Sequence, residues 1–151
     1  MESKPASEKS TAMLEQIAQQ VFGYVGLRPG QQQVLEAVLG DRDTLAVMPT
    51  GSGKSAIYQI AALRIKGITL VISPLIALQQ DQVDSILAQD TVKAAVLNST
   101  LTKTEREAVF EQIESESLEF VFLAPEQFSN EETLERIKAI QPSLFVVDEA
   151  H

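Results

Sequence analysis

Cysteine is absent from all 151 residues. The fold therefore uses no disulfide and no thiolate metal site, which suits a reducing interior. No apolar run approaches the roughly 18 residues needed to cross a bilayer. The opening residues Met1-Glu2-Ser3-Lys4-Pro5 lack the apolar segment of a secretory signal. A soluble intracellular protein with no membrane partner is expected. Positive charge is scarce as well. Lys and Arg number 12 against 21 Asp and Glu, a net charge of −9. The imbalance sits in residues 76–151, where five basic side chains face fifteen acidic ones. A nucleic-acid binder that works mainly by phosphate neutralisation is basic somewhere, and this chain is not. Any strand it held would be gripped by backbone amides and hydroxyls, or by positive surface outside these residues.

What is present suits one domain with a real core, since 44% of the residues are hydrophobic. Residues 1–11 are polar and read as a loose tail, leaving 12–151 as the folded part. Leu14, Ile17, Ala18 and Val21 recur at helical spacing, with Phe22-Gly23-Tyr24 as the exit. Pro29 suits the first turn of a second helix, whose apolar face is Val34, Leu35, Val38 and Leu39. The periodicity then changes. Short, nearly continuous apolar runs at 44–48, 68–72, 92–97, 120–123 and 144–147 read as parallel strands covered on both faces. Helical patterns at 54–65, 76–87, 102–114 and 131–140 separate them, and Thr102 with Glu105 forms a capping-box pair. Strand and helix in alternation predict a doubly wound α/β sheet. No internal repeat is visible.

The chemistry concentrates in Met48-Pro49-Thr50-Gly51-Ser52-Gly53-Lys54-Ser55. Glycines let a backbone turn tightly around phosphates, and the amides of residues 51–55 would converge at the start of a helix. Thr50, Gly51, Ser52 and Gly53 would line this nucleoside-triphosphate cradle. Lys54 would reach the β- and γ-phosphates of ATP, and Ser55 would ligate Mg2+. The strict pattern wants Gly at position 48, where this chain has Met. A simple glycine turn is the plainer alternative. About 90 residues on, an apolar run ends in Asp148-Glu149. At a strand's carboxyl end Asp148 would hold magnesium, and Glu149 would activate the attacking water. Lys54 and Asp148 are thus expected to meet around one metal-bound triphosphate. Three more polar loops follow predicted strands. Ser73-Pro74 and Asn98-Ser99 could hold a nucleic-acid phosphate or merely cap a helix or form a turn, and Ala124-Pro125-Glu126-Gln127 recurs at the same edge.

Together these residues resemble the first helicase domain of the RecQ-type DNA helicases, over about residues 14–151. Phe22-Gly23-Tyr24 with Leu27-Arg28-Pro29-Gly30-Gln31 resembles that family's motif upstream of the phosphate loop. The resemblance implies that Gln31 reads the adenine edge, a pairing a side-chain amide can make bidentately. It implies that Arg28 orders the same motif beside the nucleotide. Segments 48–60, 71–78, 81–83, 97–99 and 123–126 follow the family too. Asp148-Glu149-Ala150-His151 resembles its acidic box, in which His151 would couple the nucleotide site to the DNA-facing loop. The same four letters occur in an RNA helicase family; the segment 22–31 tips the choice to DNA.

The fold implied is a P-loop, RecA-like parallel sheet with helices on both faces, truncated after the acidic box. The activity implied is ATP-driven 3′–5′ translocation on single-stranded DNA and separation of the duplex. A second RecA-like domain in cis would complete the cleft and supply an arginine finger, so the chain alone is expected to bind nucleotide at best. The alternatives are an RNA or repair helicase with the same engine, and a non-enzymatic nucleotide-binding stub. No basic targeting cluster is visible, and a cytoplasmic, nucleoid-associated setting is expected ahead of a nuclear one.

Overall fold

Leu14 and Ala18 lie four residues apart and are both buried, as one face of a helix requires. They belong to α1 (Ala6–Gln20), the first element of the computed structural model, which describes residues 6–49, 51–74, 76–88 and 92–150. The helix begins inside the stretch expected to be a loose tail. Ala6, Glu8 and Lys9 are good helix formers, so propensity alone favours this start. Gly23, in the left-handed region at φ 67°, turns the chain out of the helix, and the Tyr24 amide closes the exit on the Ala18 carbonyl at 2.8 Å. Contacts divide the molecule into two units, Met1–Arg64 and Ile65–His151.

In the first unit, α2 (Gln31–Leu39) and α1 both pack against α3 (Lys54–Ala62). Residues 56–62 of α3 are all buried, which makes it the central helix of the unit. The segment 44–48 departs from expectation. Residues 42–49 form no strand, and Leu45 and Val47 are 84% and 88% exposed. A strand exists only where a neighbour takes its amides and carbonyls, and among the described residues none pairs with this one.

The second unit is a four-stranded parallel sheet. Its strands are β1 (Thr69–Ile72), β2 (Ala94–Leu97), β3 (Phe120–Leu123) and β4 (Leu144–Val147), in spatial order β2-β3-β1-β4. Every residue of the first three strands is buried, so both sheet faces are covered there. Leu70, Ile72, Ala95, Leu97, Val121 and Leu123 alternate onto one face with Phe110 and Ile113 of α5 (Lys103–Glu114) and Ile137 of α6 (Glu131–Ile140). Helix α4 (Ile76–Leu87) packs against β2 and β3 and buries Val83 and Ile86. The capping box at Thr102 forms as expected, its hydroxyl taking the Glu105 amide at 3.3 Å. Strand β4 differs. It was expected to be buried, yet Phe145 and Val147 are about half exposed. Among the described residues it pairs only with β1, and an edge strand buries less than a central one.

Candidate functional site

Two left-handed glycines shape the loop of the first unit. Gly51 and Gly53 stand at φ 75° and 80°, a region that costs any other residue strain. Between them the Ser52 amide donates to the Pro49 carbonyl at 3.2 Å and tightens the turn. Gly53 is also the N-cap of α3 and offers no side chain to the first amides of the helix. Those amides and the helix dipole make an anion site. The Ser52 hydroxyl is buried and has no hydrogen-bond partner among the described residues. A buried donor left open inside such a turn fits a phosphate oxygen.

Arg28 and Gln31 brace this loop from behind. The Arg28 guanidinium donates to the Gly51 carbonyl. Gln31, 3% exposed, donates from Nε2 to the Gly53 carbonyl at 2.8 Å and to the Ser52 carbonyl at 3.3 Å. Its Oε1 accepts the Arg28 amide at 2.6 Å. Both ends of the amide expected to read adenine are therefore bonded to the protein's own backbone. Lys54 Nζ reaches back to the Met48 carbonyl at 3.5 Å, a weak contact that a phosphate would readily outcompete. Beside the loop lies a cleft of about 550 Å³, lined by Tyr24, Arg28, Gln31, Gly53, Ser55 and Ala56 among others. Arg28, Gln31, Gly51, Ser52, Gly53, Lys54 and Ser55 are thus brought together, while Thr50 lies outside the described residues. Tyr24 also lines the cleft, and sequence reasoning gave it no role of its own at the site. Its signal was its place in the Phe22-Gly23-Tyr24 segment.

In the second unit the register gathers the polar loops on one rim. Ile72, Leu97, Leu123 and Val147 end their strands in alignment, so Asn98, Ala124, Ser73 and Asp148 follow one another across the sheet edge. Three ladder bonds extend past the strands to hold them. The Ser73 amide donates to Leu123 at 3.0 Å, the Ala124 amide to Leu97 at 3.2 Å, and the Asp148 amide to Ile72 at 2.8 Å. Asp148 also accepts the Glu149 amide at 3.0 Å. Glu149 sits at φ 54°, a conformation that strains a residue bearing a Cβ. That strain lies at the acidic pair. Ser73 and Asn98 are 3% and 2% exposed, so the outward-facing atoms of these loops belong to Pro74 and Ser99. The Asn98 carboxamide takes the Thr100 amide at 2.9 Å and hydroxyl at 2.6 Å, which is a turn-forming role. His151 lies outside the described residues.

Comparison with known proteins adds a second line. Residues 28–151 match the family model described as DEAD/DEAH box helicase. The chain is 41% identical over 138 residues to the "Probable ATP-dependent DNA helicase RecS" of Bacillus subtilis, covering 91% of this chain and 27% of that protein. It is 42% identical over 143 residues to the "ATP-dependent DNA helicase RecQ" of Pasteurella multocida, covering 95% and 22%. Against the "ATP-dependent DNA helicase Q-like 5" of Arabidopsis thaliana the identity is 36% over 146 residues, covering 96% and 16%. The chain spans at most about a quarter of the length of these curated relatives.

Proposed function

We propose, for a chain that belongs to the DEAD/DEAH box helicase family and is homologous to RecQ-type DNA helicases, that loop 51–55 binds the phosphates of magnesium-bound ATP. The observation that carries this is the bracing of two left-handed glycines by Arg28 and Gln31 at an uncapped helix start. Lys54 leaves the Met48 carbonyl for the β- and γ-phosphate oxygens, and the open Ser52 hydroxyl gains its partner. Ser55 and Asp148 are the metal-holding residues. Magnesium supplies charge neutralisation on the phosphate oxygens. Glu149 takes the proton of the water that attacks the γ-phosphorus, the bond to the β-bridging oxygen breaks, and ADP leaves.

The whole protein couples this hydrolysis to 3′–5′ movement along single-stranded DNA and to separation of the duplex, with a second RecA-like domain closing the nucleotide cleft. Pro74 and Ser99, outward-facing on the sheet rim, are the strand-facing positions, and Ser73 and Asn98 shape their loops. His151 couples nucleotide state to the DNA-facing surface. The test is unwinding of 3′-tailed DNA duplexes by the whole protein with ATP and magnesium. Strand separation that needs ATP and a 3′ tail supports the proposal. Equal or better unwinding of RNA duplexes overturns its choice of substrate.

A further inference from the structure

We propose that Gln59 is a positioning residue for the nucleobase, acting through the Tyr24 ring that walls the cleft beside the phosphate loop. The inference rests on the nucleotide reading of loop 51–55 and extends it to the other end of the ligand. Tyr24 lines the cleft together with Gly53, Ser55 and Ala56. Its hydroxyl donates to Gln59 Oε1 at 2.7 Å, across 35 residues of sequence. Gln59 is 4% exposed, so its acceptor sits where a lost partner is not replaced by water. Phe22 stacks on Tyr24 with centroids 5.8 Å apart and an interplanar angle of 24°, steadying the ring from the side.

The geometry joins the two ends of the site through one helix. Ser55 and Gln59 are four residues apart on α3 and share a face, separated by about one turn or roughly 6 Å along the axis. Ser55 lies at the phosphate end. Gln59, a turn deeper, fixes the ring against which a flat base can pack. An aromatic wall takes any base by its π-face, so this contact supplies affinity for the base rather than a reading of its edge. Burial raises the Tyr24 hydroxyl above its ordinary pKa, and the group stays a donor across the neutral range.

The test uses two probes, Mg-ATP and inorganic tripolyphosphate, the second carrying the phosphates without a base. Both are titrated into the wild-type chain, Gln59→Leu, Tyr24→Phe and the double variant. Each single change is expected to weaken ATP by about 5- to 10-fold, roughly the loss of one hydrogen bond that orders a contact, and to leave tripolyphosphate unchanged. The double variant should be no weaker than the weaker single, because the two residues act as one unit. Equal weakening of both probes by Gln59→Leu overturns the proposal, since that marks a general role in folding the helix. Unchanged ATP affinity in Tyr24→Phe, which removes a single oxygen, overturns it even where Gln59→Leu fails to fold. A wild-type chain that binds tripolyphosphate no more weakly than ATP overturns the proposal and leaves the phosphate reading standing. Binding of neither probe overturns both.

Discussion

The Gln31 amide stands 2.8 Å from the Gly53 carbonyl, and this bond ties the start of α2 to the start of α3. Gly53 is where the glycine turn becomes helix. A Cβ added there would stand 2.7 Å from Gln31 Nε2, at a φ of +80° that already disfavours L side chains. At Gly51 the same atom would meet nothing within 4 Å.

The two glycines should therefore respond differently. Gly51→Ala carries only the left-handed backbone cost, about 1–2 kcal/mol. Gly53→Ala carries that cost and also displaces Gln31, so it should weaken Mg-ATP by at least a further ~10-fold, the equivalent of one lost hydrogen bond to a buried group. Titration of Mg-ATP into both variants checks this. Equal losses would show that the Gln31 brace does not shape the loop.

Glu149 should separate binding from chemistry. In the whole protein, Glu149→Gln should keep nucleotide affinity and lose roughly 100-fold or more in turnover, as removal of a general base does. Steady-state ATP hydrolysis beside a nucleotide-binding assay reads both. Matching turnover in the wild type and the variant would remove Glu149 from the chemistry.

Arg136 should clasp α5 to α6. It pairs with Glu107 at 2.9 Å and Glu114 at 3.1 Å, and its guanidinium lies 3.7 Å from the centroid of buried Phe110. The carboxylates are 44% and 65% exposed, so water screens the ion pairs and the ring contact matters more. Arg136→Met should cost about 1–2 kcal/mol, and Arg136→Lys should recover little, because an ammonium cannot stack flat. Urea denaturation reports both. A Met variant as stable as wild type would leave the clasp without energetic weight.

Tyr24 should make stability fall at alkaline pH. Desolvation raises its folded pKa above the ordinary tyrosine value. The proton is then held more tightly folded than unfolded. That stabilisation is complete below about pH 10 and is lost as the pH rises through the folded pKa. Denaturation midpoints from pH 8 upward should decline less steeply in Tyr24→Phe than in wild type. Parallel declines would show that other groups carry the effect.

The glycine turn ahead of α3 was legible because its signals are local: two glycines, a lysine and a hydroxyl at fixed spacing, followed by a helical pattern. The Thr102 and Glu105 cap was legible for the same reason. Segment 44–48 was not, because its β-branched letters state a preference while a strand also needs a neighbour. Strand β4 has equally apolar letters, yet Phe145 and Val147 are exposed, since burial depends on what lies alongside. Ser73 and Asn98 were recognised as polar loop residues, but their burial follows from sheet register, which a single sequence does not contain. The bond between Tyr24 and Gln59 spans 35 residues, beyond any local pattern.

The most direct measurement is calorimetric titration of Mg-ATP into the 151-residue chain and its Lys54→Ala variant. The account predicts saturable one-site binding by the wild type and a loss of at least ~10-fold, about 1.4 kcal/mol, when the ammonium is removed. Identical affinity in the two proteins, or no binding by the wild type, would contradict the claim that loop 51–55 cradles a triphosphate.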